Sequence, residues 1–136
     1  MPSDSDSETA LAKVSIVIGG VMADASEDAN GDGETNGCDE YVRITNTGRE
    51  PVDLSQFQIL DSVGVRHVFA PATTIRPNAS WKILTSELNE RRGSCSIGVW
   101  NNTGDEIILR DGWGAIVDKQ TYFQAEKGLE IVFYPE

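Results

Sequence analysis

The chain has no run of eighteen apolar residues, so no segment is long enough to cross a membrane as a helix. It holds one histidine and two cysteines in 136 residues. With one histidine, a serine or cysteine nucleophile lacks its usual base, and a zinc site lacks ligands at matched spacings. His67 itself sits in a strand-like segment beside Val65 and Phe69, where an edge or partly exposed structural imidazole is expected. Asp105 and Glu106 are the nearest approach to a catalytic carboxylate pair, and they are expected to be solvated on a hairpin turn. The sequence therefore reads as a non-enzyme.

Positive charge is scarce where a polyanion would need it. Residues 1–40 carry one base against ten acids, whereas residues 41–136 carry ten bases against twelve acids. The formal charge of −11 thus belongs to the leading tail and the first loop, not to the body. Apart from Arg91-Arg92 the bases (Arg43, Arg49, Arg66, Arg76, Lys82, Arg110, Lys119 and Lys127) are scattered, as on a solvated surface. Neither feature favours nucleic acid as a partner. Trp81, Trp100 and Trp113 are expected in core or hairpin packing rather than as stacking faces.

A secretory leader is not expected either. VSIVIGGVMADA has alanines spaced like a cleavage site, but MPSDSDSETA before it is acidic where a secretory leader is basic. The apolar run is expected to be a buried first strand. The chain as written is expected to be cytoplasmic, or secreted if it is a fragment of a longer one. Cys38 and Cys95 permit one disulfide or two free thiols, and the sequence does not decide between them.

What is present is β-strand pattern. Residues 1–12 are Ser/Asp/Glu-rich and are expected to form a disordered acidic tail, with one β domain over residues 13–136. Val14, Ile16 and Ile18 alternate into Gly19, Gly20, Val21 and Met22. Strand-like segments follow at 41–45, 57–60, 65–69, 81–84, 97–100, 106–110, 116–122 and 130–133, the last a possible edge strand. Turn residues punctuate each gap, and Ser86–Arg92 (SELNERR) lacks an apolar stripe for a helix. Turns at this spacing mean a sandwich or a barrel. In EYVRITNTG, alternation places Val42 and Ile44 on one face, and Asn46-Thr47-Gly48 allows a left-handed turn. In PVDLSQF, Asp53 caps a turn that points Leu54 and Phe57 inward, and in NNTGDEIILRD, Asn102–Asp105 supply a hairpin turn before Ile107 and Leu109.

Between the first two strands runs DANGDGETNGCD. Calcium loops place oxygens at positions 1, 3, 5, 9 and 12, a backbone carbonyl at 7 and Gly at 6. Asp28, Asn30, Asp32, Asn36 and Asp39 supply those oxygens, Glu34 the carbonyl and Gly33 the turn. Asp39 is one methylene shorter than the usual Glu, so Glu40 is a candidate substitute. Seven acids and no base lie between Asp24 and Glu40, a repulsion that a cation would relieve. Because a strand rather than a helix follows, calcium here would brace a scaffold rather than open a helix pair. A polar loop whose Asn-Gly and Asp-Gly pairs merely turn is the alternative.

Several ordered pieces carry a resemblance. VMADA, DEYVRITNTGREPVDLSQFQI, HVFAPATTIRPNASWKIL, VWNNTGDEIILRD and GAIVDKQTY look like the successive strand-and-turn signatures of the lamin tail domain, the immunoglobulin-like module of nuclear lamins also found in prokaryotes. Phe57 stands where that family commonly has Trp, and the segment after Tyr122 matches less well. The resemblance implies an all-β, immunoglobulin-like β-sandwich and a non-catalytic interaction module with a protein partner or self-association. A structural or self-assembly role through an edge strand is one alternative; an accessory domain for a metal-dependent hydrolase or nuclease is another.

Overall fold

The computed structural model describes residues 15–29, 31, 33, 35–89 and 99–134. In chain order the strands are β1 (Ile16–Met22), β2 (Tyr41–Asn46), β3 (Val52–Asp53), β4 (Gln58–Leu60), β5 (Val65–Val68), β6 (Thr74–Ile75), β7 (Ser80–Leu84), β8 (Asp105–Arg110), β9 (Ile116–Tyr122) and β10 (Ile131–Val132). One antiparallel sheet runs β10-β1-β2-β7, the other β5-β4-β8-β9, and β3 with β6 forms a small ladder. Ile16, Ile18, Val42, Ile44 and Ile83 of the first sheet meet Ile59, Ile107 and Leu109 of the second in one core, closed by Leu54, Phe57 and Trp100. This is the expected immunoglobulin-like β-sandwich. Among the described residues no helix is long and apolar enough to cross a membrane.

The phase of β1 changes partway along it. Ile16 and Ile18 are buried, and so are Val21 and Ala23, which strict alternation would put on the opposite face. Ile18 pairs with Ile44 and Gly20 with Arg43, so Gly19 is an extra residue that flips the inward face. A Cβ on Gly19 would lie 2.6 Å from Arg43 Nη1, which explains glycine there. Asp118 of β9 accepts the Ile18 N–H at 2.8 Å, joining the two sheets where the ladder is disturbed.

Arg43 is not a surface base, contrary to expectation. It is 1% exposed and donates to the Gly19 carbonyl at 2.8 Å, the Tyr134 carbonyl at 3.1 Å and Glu130 Oε2 at 3.0 Å. The C-terminal segment is thereby held across β1, with Ile131 opposite Val21 and Val132 opposite Gly20. Arg66 is likewise buried, with Nε 2.7 Å from Asp61 Oδ2. Sequence separation hides the Arg43–Glu130 pair, since burial of that base depends on an acid brought to it by the fold.

Asn46, at the end of β2, shows why its signature ends in Asn-Thr-Gly. Its side chain donates to the Glu50 and Ile75 carbonyls and accepts from Ser15 Oγ and Gly48 N–H, so one buried amide ties its own turn to Ser15 and to β6. Gly48 is outside the left-handed region; glycine is needed because a Cβ would run into Ser15. Asp53 caps its turn as expected, Oδ1 accepting from the Ser55 N–H at 2.9 Å and hydroxyl at 2.6 Å.

Two further expectations need correction. Val99 and Trp100 form a bend rather than a strand, because a side chain takes their N–H groups instead of a neighbouring strand; Ile97 and Gly98 lie outside the described residues. The turn at 101–104 is closed by the Gly104 N–H on the Asn101 carbonyl, and Asp105 already belongs to β8. Asp105 is 7% exposed, not solvated: Oδ1 accepts from Ser62, and Oδ2 from the Asn101 backbone and amide. The expected tail at 1–12 lies outside the described residues.

Candidate functional site

The acidic loop leaves β1 at Met22 and returns at Tyr41, the position expected from sequence. Its start is anchored by the Asp24 carbonyl, which accepts the Gly128 N–H at 2.6 Å. Its end is a 3-10 turn, Gly37–Asp39, capped by Asn36, whose Oδ1 accepts the Cys38 N–H at 2.9 Å. Cys38 is disulfide-bonded; Cys95, the other cysteine of the sequence, lies outside the described residues.

Asp39 joins the two ends. It is 1% exposed, and its Oδ1 accepts the Ala29 N–H at 2.9 Å while Oδ2 accepts the Asn36 N–H at 2.7 Å. Asp28, directly before Ala29, is exposed and folds back on the loop: Oδ1 accepts the Gly31 N–H at 2.9 Å and Oδ2 the Gly33 N–H at 2.8 Å. Gly31 and Gly33 have φ of 77° and 91°, a left-handed backbone that glycine adopts without strain and that turns the loop at the expected position. Of the six candidate ligands, Asp28, Asn36 and Asp39 are thus drawn into one hydrogen-bonded loop. Asn30, Asp32 and Glu34 lie outside the described residues. Among the described residues no three His, Cys, Asp or Glu side chains converge as a metal site.

Glu40 is not a substitute ligand. Its side chain turns inward, is 7% exposed, and accepts the Val99 and Trp100 N–H groups through Oε1 at 3.1 and 3.2 Å. Burial pushes its carboxyl up to about 7, against the opposing pull of those two N–H groups, with Asp24 adding to the rise. Alternation alone places Glu40 opposite Asp39, one inward and one toward the loop, and that signal was available in the sequence. Burial also raises Tyr122, reinforced by the carboxylates of Asp105, Glu40 and Asp61; its hydroxyl donates to the Asn101 carbonyl at 2.7 Å.

A pocket of about 390 Å³ lies beside the loop, lined by Ala29, Asp39, Tyr41, Lys82 and Glu87 among others. The Lys82 ammonium stands 4.7 Å from the Tyr41 ring centroid, so the cation is held by a π face. His67, on β5 of the other sheet, is half-buried. Its Nδ1 accepts the Asn89 N–H at 3.3 Å and its ring meets Phe69 edge-on at 4.8 Å, a structural imidazole as expected. Burial lowers its pKa, opposed by Glu87.

Of the tryptophans, Trp100 is buried and Trp81 packs against the core, but Trp113 is 95% exposed at the β8–β9 turn. The expectation of packing fails there because Asp111 closes the turn on itself, accepting the Trp113 and Ala115 N–H groups, and the indole projects beyond the sheet.

No curated protein matches the chain. A family model of the lamin tail domain matches residues 9–124, which takes in β1 to β9 and the acidic loop and leaves β10 outside. The match covers most of the sequence and agrees with the sandwich and with the order of the signatures, so the chain belongs to the lamin tail domain family.

Proposed function

We propose that the chain is a non-catalytic interaction module whose β1–β2 loop is braced by calcium. The observation that carries the reading is the Asp39 carboxylate. By accepting N–H groups from Ala29 and Asn36 it holds the second and ninth positions of the calcium pattern against the twelfth. The proposed ligands are the side-chain oxygens of Asp28, Asn30, Asp32, Asn36 and Asp39 and the Glu34 carbonyl. Because the loop links two paired strands, the ion would stiffen one end of the sandwich.

Lamin tail domains are generally immunoglobulin-like modules without catalysis, and the single, internally bonded His67 agrees with that. Burial of Arg43 and Arg66 further thins the surface bases, which supports a protein rather than a nucleic acid as partner. Membership of the family carries no ligand with it.

Thermal unfolding with calcium, magnesium or chelator tests the brace, on the intact protein and on Asp32→Ala. Calcium at about a hundred times its Kd should stabilise the intact protein by about 2.7 kcal/mol and leave the variant unchanged. No shift at millimolar calcium would overturn the reading.

A second reading, self-assembly, is favoured by one observation. The β10 edge carries exposed Leu129, Val132 and Tyr134 beside a two-residue strand that another chain could extend. A strict monomer at millimolar concentration would exclude it. An accessory role in metal-dependent hydrolysis would require turnover that disappears in an Asp28→Ala, Asp32→Ala double variant.

A further inference from the structure

At the end of the sandwich away from the acidic loop, the Asp53–Phe57 connection and the β8–β9 turn enclose a groove of about 450 Å³. Trp113 stands at its rim with 95% of its surface exposed, a large apolar face that burial does not account for. The walls are fixed by backbone bonds. Gln56 is held at φ 69°, its N–H donating to the Phe69 carbonyl at 3.1 Å, and Gly112 comes so close that a Cβ there would lie 3.0 Å from Gln56 Cβ. A non-glycine residue kept in the left-handed region costs roughly 1 kcal/mol or more, and such residues concentrate at functional surfaces.

The polar groups of the groove are one-sided. Asp53 Oδ1 is occupied by the Ser55 N–H and hydroxyl, and Asp111 Oδ1 by the Trp113 and Ala115 N–H groups. Among the described residues neither Oδ2 has an intramolecular partner. The Ser55 hydroxyl is used twice, donating to Asp53 and accepting the Ala72 N–H at 3.0 Å. No basic side chain lines the groove. The hydrogen bonds from Ser55 hold the Asp53 carboxyl below its usual range, so it stays ionised. A sugar would ask for donors as well as acceptors beside the indole. A planar cation asks only for carboxylate oxygens and a π face.

We propose that this groove is a docking site for an arginine side chain of a protein partner, its guanidinium stacked on Trp113 and hydrogen-bonded to the outward oxygens of Asp53 and Asp111. The proposal rests on the reading of the chain as an interaction module and is independent of calcium. Charge complementarity selects the occupant: two carboxylates without a cation, flanking an open indole, match a guanidinium in sign and shape.

The test is an NMR titration of the intact chain, in chelator and at low salt, with a tri-arginine peptide and with its citrulline counterpart. The Trp113 indole N–H and the Gln56 and Gly112 amides should shift and saturate, with the citrulline peptide at least tenfold weaker. Trp113→Ala should weaken binding at least tenfold, Asp53→Asn about fivefold, and Trp113→Phe should restore most of it. Binding unchanged in Trp113→Ala would assign the attraction to the acidic loop and overturn the proposal. Equal binding of the citrulline peptide, a preference for a linear oligosaccharide, or no shift at millimolar peptide would overturn it too. Each leaves the calcium result untouched, because that site is stripped in chelator.

Discussion

The Arg43 guanidinium reaches Glu130, 87 residues away, with Nε 3.0 Å from Oε2 and Nη2 3.3 Å from Oε1, and the Tyr41 hydroxyl donates to the same carboxylate. This pair crosses from the family-matched body to the C-terminal segment, so the stability of β10 depends on a charge in β2. Glu130→Ala should therefore destabilise the fold by about 2–3 kcal/mol, because a buried guanidinium is left without its acid. Replacing both residues with apolar ones should cost less than Glu130→Ala alone. Denaturant unfolding of the two single variants and the double variant checks this.

Gly19→Ala should cost about 1–3 kcal/mol in the same assay, because its methyl would meet Arg43 Nη1 at 2.6 Å and Thr45 Oγ1 at 3.0 Å within a fully packed bulge. Shortening Arg43 should recover part of that loss.

Glu40 makes stability depend on pH. Its folded value of about 7 lies above the ordinary 4.5, so the fold favours the protonated acid. That contribution is complete below about 4.5 and is lost as pH rises through 7. Asp24 acts on the same group in the same direction. Glu40→Gln keeps an acceptor for the Val99 and Trp100 N–H groups without the charge. Measured in chelator, the variant should equal the natural chain near pH 4 and exceed it by about 2 kcal/mol at pH 8, after allowing for solvent screening.

Reduction of the disulfide that holds Cys38 should lower stability by about 2–4 kcal/mol, read as a fall in unfolding midpoint between oxidised and reduced protein. Trp113→Ala should change stability by no more than about 0.5 kcal/mol, whereas Trp100→Ala should cost about 3–5 kcal/mol, since only the second removes core.

The strands and the place of the acidic loop were legible because they rest on local signals. Period-two alternation found β2, β8 and β9 to within one residue, and Asp53 announced its own turn. Nonlocal features were not. The bulge at Gly19 reverses a face without any change in composition, and Arg43 and Asp105 look solvated until the fold supplies Glu130 and Ser62. The two-residue ladder of β3 with β6 is too short to show a period. In the loop, sequence spacing named candidate ligands and alternation could have turned Glu40 away from them, but only packing could show that Asp39 closes the ends.

The most direct measurement is a calcium titration of the intact chain followed through its backbone amide resonances. The account predicts that the Ala29, Gly31, Gly33 and Asn36 amides, whose N–H groups already bond to Asp28 or Asp39, shift and saturate with calcium, more weakly with magnesium, and not in Asp32→Ala. Amides that stay still at millimolar calcium, or that move equally in Asp32→Ala, would contradict it.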